Sequence, residues 1–306
     1  MNIMVALLRR EIWEHRSIYV VPAVIGLVVT LMSLTGQVVV SAFDQAVDLA
    51  VFGASNLGAR ERSAAITVLM TAISTPFILA MSVLSVFYLL DCLYAERKDR
   101  SILFWRSLPV TDAETVLSKL ATALIVIPLV TFLLIVATTL LVLTISGIWL
   151  SLRGGSAAQL IWSAAPLAEN WLAALVFLLA LPLWLSPFAG WFLLVSSWTR
   201  RSPLLVAFLP LVVAPMLERI LLGTSWLRDA IFVRSGSMPL FRGVDAAEYL
   251  FHDGDQLKLG ESSATTLLPL VDLGKFFSSP ALWAGFAICA LLTAGAIYMR
   301  RYRDES

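Results

Sequence analysis

Bond-making chemistry needs convergent nucleophiles, acids or metal ligands, and this sequence offers few. There are two histidines, His15 and His252. His252 stands with Asp253 and Asp255 in "HDGDQLKLGESS". One imidazole among scattered carboxylates in a glycine-containing stretch reads as a solvated turn rather than a metal site. Cys92 and Cys289 fall in or beside apolar runs far apart in the chain, with no disulfide framework and no metal-ligand spacing. No G-x-x-x-x-G-K-[ST] occurs, so the chain has no phosphate loop. What the residues do offer is recognition chemistry. "AERKDRSILFWRSLPVTDAETVLSK", from Ala95 to Lys119, sets charge beside Ile102, Leu103, Phe104, Trp105 and Leu108, with a long apolar run on each side.

The elements that hold this segment follow from composition. Of 306 residues 59% are apolar and only 14% charged, where a soluble domain carries about a quarter charged residues. The chain therefore reads as an integral membrane protein, for which helices or a closed barrel are the spanning options. Apolar runs of roughly 20 residues select helices, since barrel strands alternate over about 10. Six spans are expected, near Ile18–Val40, Ala65–Leu90, Leu120–Ser146, Trp171–Trp198, Pro203–Leu222 and Ala281–Met299. The fold class is thus all-α, with residues 1–306 forming a single transmembrane domain. The N-terminus does not read as a signal peptide, because charges continue to Arg16 and the following run is too long.

Lys and Arg set the expected orientation. Arg9, Arg10, Arg16, Arg97, Lys98, Arg100, Arg106, Lys119, Arg200, Arg201, Arg300, Arg301 and Arg303 fall in segments on one side, more than half of the 22 in the chain. The positive-inside rule makes that side the cytoplasm and places both termini there. Net charge is +1, which gives no reason to expect nucleic acid as a partner. On the outer side, residues 223–280 form the longest polar piece. Its "SWLRDAIFVR" and "VDAAEYLF" are each expected to form a short amphipathic helix. At the N-terminus, residues 1–17 alternate Ile3, Leu7 and Trp13 with Arg9, Arg10, Glu11 and Glu14, the pattern of an interfacial helix lying on lipid.

Within residues 91–119 the second span is expected to run on past the membrane. A short amphipathic piece follows, and Pro109 ends it, because proline disfavours helix at the residue before it. Thr111 with Glu114 three residues on is a capping box, and Asp112 adds negative charge at the positive helix end. On these grounds alone the segment is either an interfacial helix on headgroups or a docking element for a cytoplasmic partner.

The same residues resemble a motif of the permeases of type-2 ATP-binding-cassette (ABC) exporters, close to Glu-Arg-x-x-Gly-Thr-Leu, a few residues, Leu-Pro-Val-Ser, then a Lys opening the next span. Here Glu96-Arg97-Lys98-Asp99-Arg100-Ser101-Ile102 is followed by Leu108-Pro109-Val110-Thr111 and then Lys119. Arg100 replaces the usual glycine. The likeness covers about 25 residues in motif and the whole chain in layout. It implies an exporter permease of the inner membrane with a cytoplasmic coupling helix between spans two and three. A separate ABC ATPase subunit would carry ATP and Mg, no cofactor would be bound by this chain, and a second permease copy, identical or related, would complete the transporter. It implies ATPase docking through Glu96, Arg97, Ile102, Leu103, Phe104, Trp105, Arg106, Leu108 and Pro109, with Glu96 and Arg106 at the rim of the contact. It implies no catalytic role for this chain.

Phe177, Trp184, Trp191 and Trp198 recur every seven residues, with Phe188 and Phe192 widening the stripe. On one continuous helix such a repeat stays on one face. It reads as packing or lipid-facing aromatics, or as an aromatic wall for an amphipathic substrate formed by Phe177, Trp184, Phe188 and Trp191. Glu218-Arg219, near the outer end of the fifth span, reads as a cap before it reads as an exit gate. Two rivals differ in class. An ion-coupled transporter would want intramembrane acids and internal repeats. A membrane-embedded enzyme would want reactive groups gathered at one bilayer face.

Overall fold

The computed structural model describes residues 3–34, 59–99, 110–152, 154–163, 165–200, 202–236, 238–241 and 265–302. Helices dominate, and the described residues hold no strand beyond an isolated bridge between Phe241 and Val271. The main helices are α1 (Ile3–Glu14), α2 (Ser17–Leu34), α3 (Ala59–Lys98), α4 (Asp112–Ala121), α5 (Ile127–Leu152), α6 (Leu167–Trp184), α7 (Ser186–Trp198), α8 (Pro203–Leu222), α9 (Trp226–Gly236), α10 (Leu273–Ser278) and α11 (Pro280–Tyr302). Six stretches are long and apolar enough to cross a membrane: Ser17–Leu34, Arg62–Lys98, Asp112–Leu152, Leu167–Trp184, Pro203–Leu222 and Pro280–Tyr302. The expected six spans are present. The part of the first beyond Leu34 lies outside the described residues.

Two spans overrun the membrane. At 40 residues, α3 is about 60 Å long at 1.5 Å per residue, roughly twice the hydrocarbon thickness. Its last turn carries Arg97 and Lys98, as the sequence suggested. The third span begins at the capping box. Glu114 N–H donates to Thr111 Oγ1 at 3.2 Å, and Thr111 N–H donates back to Glu114 Oε2 at 2.8 Å. A π turn, Thr122–Val126, separates α4 from α5. Pro128 has no N–H to continue the α pattern, and the Ile127 N–H reaches the wider-spaced Thr122 carbonyl instead.

The fourth span is not one helix. It ends at Leu185 and restarts at Ser186 with Pro187 in the first turn of α7. The aromatic stripe expected on one face is therefore split between Trp184 and Trp191, because a seven-residue repeat holds its face only on a continuous helix.

α3 is the central post, packing against α2, α5, α6, α7 and α8, while α11 lies along α7. Close crossings use small residues, as membrane helices commonly do. A Cβ on Gly26 of α2 would stand 2.6 Å from Thr138 Oγ1 of α5, and one on Gly190 of α7 would stand 3.0 Å from the Cys289 backbone of α11. The main core gathers on α3, with Phe77, Ile73, Ile127, Ile135 and Leu193 fully buried. A smaller cluster joins Ala180 and Trp184 to Met238, Leu240, Phe276 and Leu282. Outward faces are apolar too. Leu205, Val212 and Leu221 on α8 and Leu291 on α11 are largely exposed, a surface suited to lipid and not to water.

The bundle has a charged end and a far end. α1, the last turn of α3, α4 and the last turn of α11 meet at the first. Residues 223–236, 238–241 and 265–279 lie at the second. There Asn170 Nδ2 donates to Thr67 Oγ1 at 2.9 Å, Asn170 Oδ1 accepts from the Leu267 N–H at 3.2 Å, and Thr67 Oγ1 donates to the Thr265 carbonyl at 2.9 Å. That node fastens the returning far-end chain to α3 and α6. The expected helix in "SWLRDAIFVR" is α9; the one in "VDAAEYLF" lies outside the described residues. Glu218 is a cap: its carboxylate accepts from Thr224 Oγ1 at 2.7 Å and from the Trp226 and Leu227 N–H groups at 2.8 Å each, which closes the first turn of α9.

Candidate functional site

The charged end holds a buried ion-pair cluster built from four helices. Glu11 and Leu7 sit one turn apart on the buried face of α1. Glu96 lies in the last turn of α3, Lys119 follows the capped start of α4, and Arg300 lies in the last turn of α11. Lys119 Nζ stands 2.9 Å from Glu11 Oε1 and 3.0 Å from Glu96 Oε1. Arg300 Nη1 reaches Glu96 Oε2 at 2.5 Å, and its Nε reaches Asp112 Oδ1 at 2.9 Å. Arg10 Nη2 lies 3.5 Å from Glu96 Oε1 and 2.9 Å from the more exposed Glu14. The second oxygen of Glu11 accepts from Tyr88 Oη at 2.7 Å.

Glu11, Glu96, Lys119 and Arg300 are at most 5% exposed. Charges so placed persist only when paired and hydrogen-bonded. Two fully buried carboxylates (Glu11, Glu96) face two fully buried cations (Lys119, Arg300), so the buried charge is balanced. His15 borders the cluster, its Nε2 3.7 Å from Glu11 Oε2 and its ring edge-on to Tyr88 at 4.9 Å. Burial holds its pKa below the ordinary 6.5 despite the pull of Glu11, so the ring is neutral at pH 7.

α3 and α7 are joined one turn away. Ser196 Oγ donates to the Leu90 carbonyl at 2.8 Å and accepts from the Tyr94 N–H at 3.0 Å. Arg97 Nη2 donates to the Ser196 and Thr199 carbonyls at 2.7 Å each, satisfying acceptors that the end of α7 leaves open.

Of the residues expected to dock a partner, Ile102, Leu103, Phe104, Trp105, Arg106, Leu108 and Pro109 lie outside the described residues. Glu96 and Arg97 are described, and both are turned inward. Glu96, expected at the rim of the docking surface, is instead the hub of the ion cluster, because Lys119 and Arg300 both need its carboxylate. The two flanks of residues 100–109 are thus fixed: Glu96 and Arg97 on one side, and Asp112, the capping box and Lys119 on the other.

The four aromatics proposed for a substrate wall pack within the chain. Phe177 stacks on Phe241 with ring centres 5.8 Å apart, and Trp184 is buried in the far-end cluster. Phe188 and Trp191 pack on the main core, with Trp191 Nε1 donating to the Ala207 carbonyl at 3.0 Å. His252, Asp253 and Asp255 lie outside the described residues, and among the described residues no three His, Cys, Asp or Glu side chains gather as metal ligands would. Sequence reasoning passed over Glu11, Tyr88, Asp112 and Arg300 as partners of one another. The available signal was Lys119, an ammonium at the mouth of an apolar run, which must find acids when the helix packs.

The fold defines the chain as a multi-pass helical membrane protein. No family model, curated protein or solved structure matches it.

Proposed function

We propose that the chain is the permease subunit of an ATP-driven ABC exporter, seated in the inner membrane with both termini in the cytoplasm. The observation that carries this reading is the segment between spans two and three: Glu96-Arg97, then Leu108-Pro109-Val110-Thr111, then Lys119. Its apolar residues suit the groove of a partner protein, and its flanks are tied into the ion cluster, so a push on the segment would be felt by α1, α3, α4 and α11 together. The charged end, rich in Lys and Arg, would face the cytoplasm. A separate ATPase would supply ATP hydrolysis with Mg, since the chain has no phosphate loop. Two permease copies would then tilt against each other to move a substrate outward, an amphipathic one given the apolar spans.

The test is copurification. The double change Phe104→Ala with Leu108→Ala should leave membrane insertion intact, weaken capture of the ATPase and stop transport. Truncating a buried aromatic contact often costs about 2 kcal/mol or more, roughly a thirtyfold loss of affinity. Normal ATPase binding and normal export by the double variant would reduce the segment to a membrane anchor. A second reading, an ion-coupled transporter, draws on the buried acids Glu11 and Glu96. It would be favoured by flux that follows an imposed proton or sodium gradient without ATP.

A further inference from the structure

The break in the fourth span leaves a backbone group to be satisfied, and the far-end segment satisfies it. At the break the Phe188 N–H donates to the Leu185 carbonyl at 3.0 Å. In an unbroken α-helix it would donate to the Trp184 carbonyl. Within a membrane protein a carbonyl so freed needs another donor. Arg234, in the last turn of α9, provides it: Nε donates to the Trp184 carbonyl at 2.9 Å. Its Nη1 donates to the Ala281 carbonyl in the first turn of α11. Its guanidinium lies over the Trp184 ring, 4.5 Å from the centre, and Trp184 Nε1 donates back to the Arg234 carbonyl at 2.8 Å. The space is made by Gly285, where any Cβ would land on the guanidinium. Three elements, α6, α9 and α11, therefore meet at one side chain.

No carboxylate pairs with Arg234 among the described residues. Its charge is held by neutral carbonyls and a ring face, and burial works against that charge. At the other end of the bundle the fully buried cations Lys119 and Arg300 each have a carboxylate. Such a contact can be exchanged for water or for a ligand at lower cost than a buried ion pair. The break also has a second arrangement within reach. If Arg234 leaves, the Phe188 N–H can move from the Leu185 carbonyl to the Trp184 carbonyl, which restores one α turn. Pro187, having no N–H, keeps a bend but does not fix its angle.

We propose that Arg234 is a releasable latch: seated on Gly285, it holds α9 and the far-end segment against the break in span four, and its departure lets α6 and α7 change their mutual angle. The inference does not depend on what powers transport. In an exporter the latch would stand at the exit, opposite the ion cluster, and it would couple movement of the far-end segment to the shape of a spanning helix.

The test is a distance measurement along the fourth span by pulsed electron spin resonance. Spin labels are placed at Leu172→Cys on α6 and Arg200→Cys just beyond α7, both exposed, in the full chain carrying Cys92→Ala and Cys289→Ala and held in lipid nanodiscs. One distance population is expected with the latch in place. Arg234→Ala removes the guanidinium, and Gly285→Ala keeps it but fills its seat; each is expected to add a second, shifted population. Arg234→Lys, which can still donate to the Trp184 carbonyl, should retain mostly the original distance. An unchanged distribution in folded Arg234→Ala and Gly285→Ala overturns the proposal, because Arg234 would then be a static cap. Loss of folded protein in all three variants overturns it equally, since a contact required for folding is not a releasable one.

Discussion

Lys119 shows at the scale of one residue why the charged end holds together. Its ammonium is fully buried between Glu11 and Glu96. Lys119→Met would leave two carboxylates buried with one cation fewer, and removing one partner of a buried pair costs about 3–5 kcal/mol. Thermal unfolding of the purified protein in detergent should show this as a large drop in Tm. Glu11→Gln combined with Lys119→Met should cost clearly less than the sum of the two single changes, because the second removes a penalty the first creates. Additive losses would mean the two groups do not depend on each other. His15 gives a pH prediction. Its folded pKa lies below the 6.5 of the free side chain. Between those two values the unfolded chain binds the extra proton, so stability rises with pH there. The contribution is present above about pH 6.5 and is lost as pH falls through that window. His15→Gln should flatten this part of the stability profile.

At the scale of the element, the crossings depend on small residues and inserted hydroxyls. Gly26→Val would force side-chain atoms into Thr138, whose Oγ1 stands 2.6 Å from the position of a Cβ. Overpacking of this kind costs about 1–3 kcal/mol, and the Tm of the purified variant should fall accordingly. A neutral result would mean that α2 is free to slide on α5. Thr111→Ala should remove the Thr111 Oγ1 half of the capping box at the start of α4, while the backbone N–H at 111 can still donate to Glu114, for a loss of about 1 kcal/mol. Proteolysis near residues 110–115 should report it as increased cleavage, because the first turn of α4 would fray.

At the scale of the whole molecule, orientation is the first matter to test. A cysteine at Ser202 should be labelled by a membrane-impermeant reagent only after the cytoplasmic face is opened, and one at Gly254 should react in intact cells. The reverse pattern would overturn both the orientation and the proposal that the segment after Lys98 meets a cytoplasmic ATPase. The purified chain should also hydrolyse no ATP above background.

The class of protein and the number of its spans were legible in the sequence, because the transfer of an apolar run into lipid is a local, additive free energy. The capping box at Thr111 and Glu114 was legible for the same reason, since its partners lie three residues apart. A helix within "SWLRDAIFVR", α9, was legible from its pattern. Three features were decided only by the tertiary structure. Glu96 is a buried hub instead of a rim residue because Lys119 and Arg300, remote in sequence, converge on it. Pro182 and Pro187 in the fourth span are compatible with a bend, but whether it is a kink or a break depends on a donor for the freed Trp184 carbonyl. That donor, Arg234, is 50 residues further along the chain. Charge pairing and carbonyl satisfaction act through space between elements, and hydrophobic periodicity along the chain carries no record of which helices will be neighbours.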